Sequence, residues 1–180
     1  IPFDYQLVAG GSLIDKARSE LAYKFLKSEM NRLFWIDSDI AWKPEAFLRV
    51  LALTSKMPIV GAAYPAKTGP NTEFMLSIDG NRLEANEWGC LQIGGMGLGF
   101  TCVARKVIEQ LAEGARRVKN DMGERVAMIF RTGVEGDAYV GEDMNFFRDA
   151  SKLGYDCHVD PQIAIDLVGH RRGDDPGLGV

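Results

Sequence analysis

The sequence predicts an α/β layered fold, from three observations. Strand-like and helix-like patterns alternate through the first part of the chain. Residues 33–36 and 58–63 are short apolar runs of the kind buried parallel strands show. Asp37 and Asp39 follow directly on the first of those runs, where ligands of open α/β sheets bind, beyond the carboxyl ends of the strands.

In order, residues 5–9 read as a strand, and Gly10-Gly11 as a turn. Ser12, with Asp15 three residues on, approaches a capping box. Ile14, Ala17, Leu21 and Phe25 recur at helical spacing, with Lys16, Arg18 and Glu20 pointing elsewhere, so a helix to about Met30 is expected. Pro44 suits the first turn of a second helix whose apolar stripe is Phe47, Leu48, Leu51 and Ala52. Residues 74–78 read as a strand and Asp79-Gly80 as a hairpin turn. A strand over 100–104 runs into a helix over 106–117. A polar loop over 118–125, a short strand over 127–130 and a glycine-containing mobile loop over 132–141 follow. A helix over 142–153 closes on Gly154, a strand over 155–159 follows, and residues 171–180 are expected to form a flexible tail.

The 180 residues suit one domain, 1–180, with a full core. A net charge of −4, with only Arg116-Arg117 and Arg171-Arg172 as basic pairs, argues against nucleic acid as a partner. No apolar run approaches the roughly 20 residues of a transmembrane helix, and no signal peptide is visible, so a cytoplasmic location is expected. Cys90, Cys102 and Cys157 cannot all pair and lack zinc spacing; they read as buried small hydrophobes in a reducing compartment. The chain enters on a strand pattern at Ile1, which leaves open a missing N-terminal portion.

Four features carry chemistry. Asp37-Ser-Asp39 places two carboxylates where they could share Mg²⁺ or Mn²⁺. It reads equally as a solvated strand end capping the Pro44 helix. Glu142 and Asp143 open a helix, where the dipole favours negative charge; either could instead act as a general base. His170 offers an imidazole to a metal or to solvent, while His158 sits inside a strand pattern. Gly94-Gly-Met-Gly-Leu-Gly-Phe100 allows close backbone approach, but has neither the Rossmann order nor a P-loop lysine.

The ordered set resembles family 2-like GT-A glycosyltransferases. It comprises Ala17-Arg18-Ser19, the apolar strand into Asp37-Ser-Asp39, Pro44, Gly61-Ala-Ala-Tyr-Pro-Ala-Lys67, Gly97-Leu-Gly-Phe100 before Val103-Ala-Arg105, Gly141-Glu-Asp143, and Gly169-His170. The resemblance implies a three-layer α/β/α sandwich with a mostly parallel central sheet. It implies a nucleotide-diphosphate sugar donor held on Mn²⁺ or Mg²⁺, with transfer to an acceptor hydroxyl of a glycan, lipid or protein, with inversion. Under it, Asp39, with Asp37 and His170, would hold the metal. Arg18, Asp37, Lys67, Gly95 and Gly97 would line the donor site. Asp143 would be the base, with Glu142 beside it. Such proteins begin with a strand and helix that cradle the base, and this chain enters near the second strand.

Two alternatives remain. One is a non-catalytic sugar- or nucleotide-binding module. The other is a haloacid-dehalogenase-like phosphatase, disfavoured because Gly141-Glu-Asp-Met-Asn-Phe146 lacks the further carboxylate that class needs.

Overall fold

The computed structural model describes residues 2–8, 13–65, 74–78, 84–163 and 165–167. In chain order its elements are α1 (Ile14–Lys27), β1 (Arg32–Ile36), β2 (Ile40–Ala41), α2 (Pro44–Leu53), β3 (Ile59–Ala62), β4 (Leu76–Ser77), β5 (Leu91–Ile93), β6 (Gly95–Met96) and β7 (Phe100–Ala104). They continue with α3 (Arg105–Gly114), β8 (Arg117–Lys119), β9 (Arg125–Ala127), β10 (Gly133–Glu135), β11 (Ala138–Val140), α4 (Glu142–Lys152), β12 (Cys157–Asp160) and β13 (Asp166–Leu167). This is a mixed α/β fold with four helices among the described residues.

The central sheet has the order β1-β7-β3-β12-β5. Its β1–β7, β7–β3 and β12–β5 pairings are antiparallel, and only β3–β12 is parallel. The expected mostly parallel sheet is therefore corrected to a mixed one. The physical reason is that an apolar run reports burial of both faces, whatever the direction of its neighbours. Ile59 and Val103 point into one core with α1, α3 and α4. Val60, Phe100 and Cys102 point into a second core with Val50 and Leu53 of α2. The two-sided burial is real, and it is reached with antiparallel neighbours.

Other expectations shift in detail. Residues 2–8 form no strand; Phe3, Tyr5 and Leu7 are largely exposed. The expected polar loop 118–125 is instead part of the β8–β9 hairpin, whose turn is 120–124, and the glycine-containing segment 132–141 holds the β10–β11 hairpin, turning on Gly136 at φ 60°. Ser12, Asp79-Gly80 and the tail 171–180 lie outside the described residues. All three cysteines are free and buried, as expected of small hydrophobes. No described helix is long and apolar enough to cross a membrane.

The expected phase of α1 is also corrected. Its buried face is Arg18, Ser19, Ala22 and Phe25, while Ile14 is nearly half exposed. Hydrophobicity alone misplaces the stripe because an arginine with enough partners can be buried. The far end of α1 is fixed by Arg105, whose guanidinium donates to the carbonyls of Phe25, Leu26, Ser28 and Met30. These carbonyls lie in or just past the last turn, where backbone acceptors lack helical partners.

Phe130 links this helical layer to the sheet. It stacks on Phe146 at 4.9 Å, meets Trp35 edge-on at 5.4 Å, and its N–H donates to Ser19 Oγ at 3.2 Å. Phe130→Ala is expected to lower the unfolding free energy by about 3–5 kcal/mol, read by urea denaturation. A loss below about 1 kcal/mol would show that Phe130 is not a keystone of this core.

Candidate active site

The antiparallel β1–β7 pairing builds the site. Ile36 faces Phe100, so the residue after β1 meets the residue before β7, and the Asp37 N–H donates to the Gly99 carbonyl at 2.9 Å. Asp37, Ser38, Asp39 and Ile40 then form a turn, with the Ile40 N–H donating to the Asp37 carbonyl at 3.1 Å. Asp39 is half-buried in that turn. Because β3 also runs antiparallel to β7, its exit brings Tyr64 onto the same glycines. The Gly99 N–H donates to Tyr64 Oη at 3.1 Å.

Arg18 joins these strand ends to α4. Its side chain is only 6% exposed. One terminal nitrogen donates to Glu142 Oε1 at 3.0 Å and to Asp143 Oδ1. The other donates to Asp37 Oδ1 at 3.2 Å, with Oδ2 at 3.5 Å. Burial disfavours the guanidinium charge, but Asp143, Asp37 and Glu142 outweigh that effect and hold Arg18 above its ordinary value. Glu142 and Asp143 stand in the first turn of α4, where the helix dipole also favours their charge.

Asp143 is the titrating centre of the cluster. Its Oδ2 accepts the Leu98 N–H at 3.1 Å. Burial drives its carboxyl up to about 6; Arg18 and the Leu98 N–H pull it down, and the neighbouring Glu142 pushes it up. The Tyr64 phenol is pushed up to about 12, chiefly by burial and further by Asp37 and Asp143, against the Gly99 hydrogen bond. It therefore stays protonated at neutral pH.

The glycine-rich segment serves packing. A Cβ on Gly97 would lie 2.0 Å from Tyr64 Oη, and one on Gly99 would lie 2.8 Å from Asp37 Oδ2 and 2.9 Å from Tyr64 Oη. Gly95 sits against Met144 and Phe147 of α4. Beside Asp143 lies a cavity of about 170 Å³, walled by Phe74, Met75, Leu76, Met96 and Met144.

The structure thus brings together Arg18, Asp37, Glu142, Asp143 and the residue 95–99 segment, with Asp39 in the adjoining turn. Arg18, assigned to the donor by the resemblance, faces carboxylates. Lys67 and His170 lie outside the described residues. Tyr64 was not singled out by sequence; its one local signal is its place between an apolar strand and Pro65. Among the described residues no group of three His, Cys, Asp or Glu side chains is disposed to hold a metal ion. Asp37 accepts from Arg18 and Asp39 stands two residues on in the same turn; an ion of the magnesium type keeps several waters and uses one or two carboxylates plus substrate phosphates.

Comparison with protein-family models matches none of them, and comparison with curated proteins finds no relative. Among solved structures the chain is similar to the crystal structure of A197 from STIV. The two share 17% identity over 90% of this chain and 71% of that one, with a TM-score of 0.59. At that identity the likeness shows the fold alone. Together with the mixed sheet, this neighbour overturns the resemblance to family 2-like GT-A glycosyltransferases.

Removing the guanidinium exposes its role. Arg18→Met leaves three carboxylates facing one another and is expected to cost on the order of 3 kcal/mol at pH 7.5. Asp143 ionises near 6 folded against 3.8 in its ordinary state, so the folded chain holds an extra proton between those values. Stability then falls as pH rises through that window. Arg18→Met should steepen the fall, so its deficit shrinks at pH 5. Urea denaturation at both pH values checks this; an equal deficit at both would contradict the cluster's electrostatics.

Proposed function

We propose that this chain transfers a glycosyl group from a nucleotide-diphosphate sugar to an acceptor hydroxyl, with Asp143 as general base and Mg²⁺ or Mn²⁺ required. The observation that carries it is a half-buried carboxylate with its pKa near 6, beside a ring-sized cavity and across from the Asp37–Asp39 turn. A base is most effective when its pKa lies near the working pH, and Asp143 is largely ionised at pH 7.5 while still able to take a proton.

The division of labour follows the geometry. Asp143 takes the acceptor proton. The acceptor oxygen bonds to the anomeric carbon while the bond from that carbon to the diphosphate oxygen breaks, and the electron pair leaves with the nucleoside diphosphate. Asp37 and Asp39 would hold the cation, which when bound neutralises charge on the departing diphosphate. Arg18 fixes Asp143 and Asp37 relative to one another and limits the repulsion between them. Attack from the side opposite the leaving group inverts the anomeric centre. The helices on both sides of the sheet are read as the outer layers of an α/β/α sandwich that holds these strand ends rigid.

A second reading is favoured by one observation: both oxygens of Asp143 already accept hydrogen bonds, from Arg18 and from Leu98. A non-catalytic binder of sugar nucleotides would use Asp143 only to hold α4 against the strand ends.

The two readings separate in one experiment. A panel of UDP, GDP, CDP and dTDP sugars is screened by thermal shift with and without Mn²⁺, and the stabilising donor is then assayed for turnover. Transfer predicts a shift that needs both donor and cation, its loss in Asp39→Ala, and kcat/KM rising with pH to a midpoint near 6. Asp143→Asn should lose about 10²–10⁴-fold in rate and keep the shift. Full rate in Asp143→Asn would remove the base assignment, and binding without turnover would leave the non-catalytic reading.

A further inference from the structure

The cavity beside Asp143 is lined mainly by carbon and sulfur, with Gly97 and the Asp143 carboxylate completing it. Phe74 and Met75 approach β4, and β4 pairs with β6 in the register Leu76 to Met96. Met144 closes it from α4, one residue beyond Asp143. Among the described residues lining it, Asp143 alone titrates. The pocket is partly open to solvent, and its volume, about 170 Å³, is of the size of the enclosed apolar cavities of about 150 Å³ that accept a benzene ring.

Resting on the transfer reading, we propose that this cavity is the acceptor subsite and that it takes a phenolic ring, with the hydroxyl directed at the Asp143 carboxylate. The lining selects among hydroxyl compounds in three ways. A saccharide would turn several hydroxyls toward this lining, where among the described residues one carboxylate is the only ionisable side-chain acceptor, and each hydroxyl left unpaired there is costly. An anionic acceptor would meet the negative charge of Asp143 and Glu142. A flat ring gains from methionine sulfur, which contacts aromatic edges favourably, and Met75, Met96 and Met144 supply three. A phenol, with a pKa near 10, also loses its proton to a carboxylate more readily than an aliphatic alcohol does. In the transfer step the phenol proton passes to Asp143. The phenol oxygen forms the new bond to the anomeric carbon, and the nucleoside diphosphate leaves with the electron pair of the broken bond.

The test is a titration of the whole chain, carrying ¹³C-methyl methionine, with phenol alone. Binding in the cavity shifts the Met96 and Met144 methyl signals together and saturably. Cyclohexanol, of the same ring size, should bind about tenfold more weakly, and methyl glucoside should leave both signals in place. Met75→Trp, at a half-exposed position, fills the cavity and should abolish the phenol response. Unmoved methyl signals in the natural sequence overturn the proposal, as does an equal response to cyclohexanol or an undiminished one in Met75→Trp. If the variant does not fold, the natural-sequence titrations decide alone. No donor or cation is present, so failure here leaves the donor experiment to judge glycosyl transfer, and failure there leaves phenol binding standing.

Discussion

Arg18 enters the interior from the middle of α1 with its guanidinium almost closed to solvent. A buried cation persists only where enough acceptors replace its water, and here three carboxylates do so. Asp37 comes from the end of β1, and Glu142 and Asp143 come from the start of α4, more than 120 residues along the chain from Arg18. One side chain thus ties a helix, a strand end and a second helix into a single electrostatic unit. One positive charge among three carboxylates does not cancel them. Burial keeps Asp143 hard to ionise, Glu142 adds to that, and Arg18 opposes both.

The mixed sheet decides what else reaches that unit. In a parallel arrangement the end of β1 would lie beside the end of its neighbour. With β7 antiparallel, it lies beside the segment that precedes β7, and that segment is glycine-rich. Gly97 and Gly99 leave room for the Tyr64 ring, and Gly99 supplies the N–H that holds its hydroxyl. The same arrangement lets the Leu98 N–H reach Asp143. Backbone direction, glycine spacing and the ionisation of Asp143 are therefore linked: a side chain at residue 97 or 99 would displace Tyr64 or Asp37 and disturb the cluster beyond them.

Much of this was legible in the sequence. The apolar runs marked β1 and β3, Pro44 marked the start of α2, and Gly154 marked the end of α4, because burial and backbone chemistry leave local signatures. The carboxylates of the cluster stood out for the same reason: charge beside an apolar strand or opening a helix is visible residue by residue. Strand direction was not legible, since two covered faces give the same apolar run either way. The burial of Arg18 was hidden because its partners are distant in sequence, and periodicity counts arginine as exposed. Tyr64 was hidden because an aromatic after an apolar strand looks like core. Two hairpins read as loops because strands of three residues, mostly exposed, carry little alternation.

The central claim is that burial raises the ionisation midpoint of the Asp143 carboxyl and a single buried guanidinium holds it down against that burial. The direct measurement is the ¹³C carboxyl shift of Asp143 against pH, in the natural sequence and in Arg18→Met. The account predicts a midpoint near 6 in the natural sequence and a higher one in the variant, since Arg18 holds the value down against burial and Glu142. A midpoint near the ordinary aspartate value of about 4, unchanged by loss of Arg18, would contradict it.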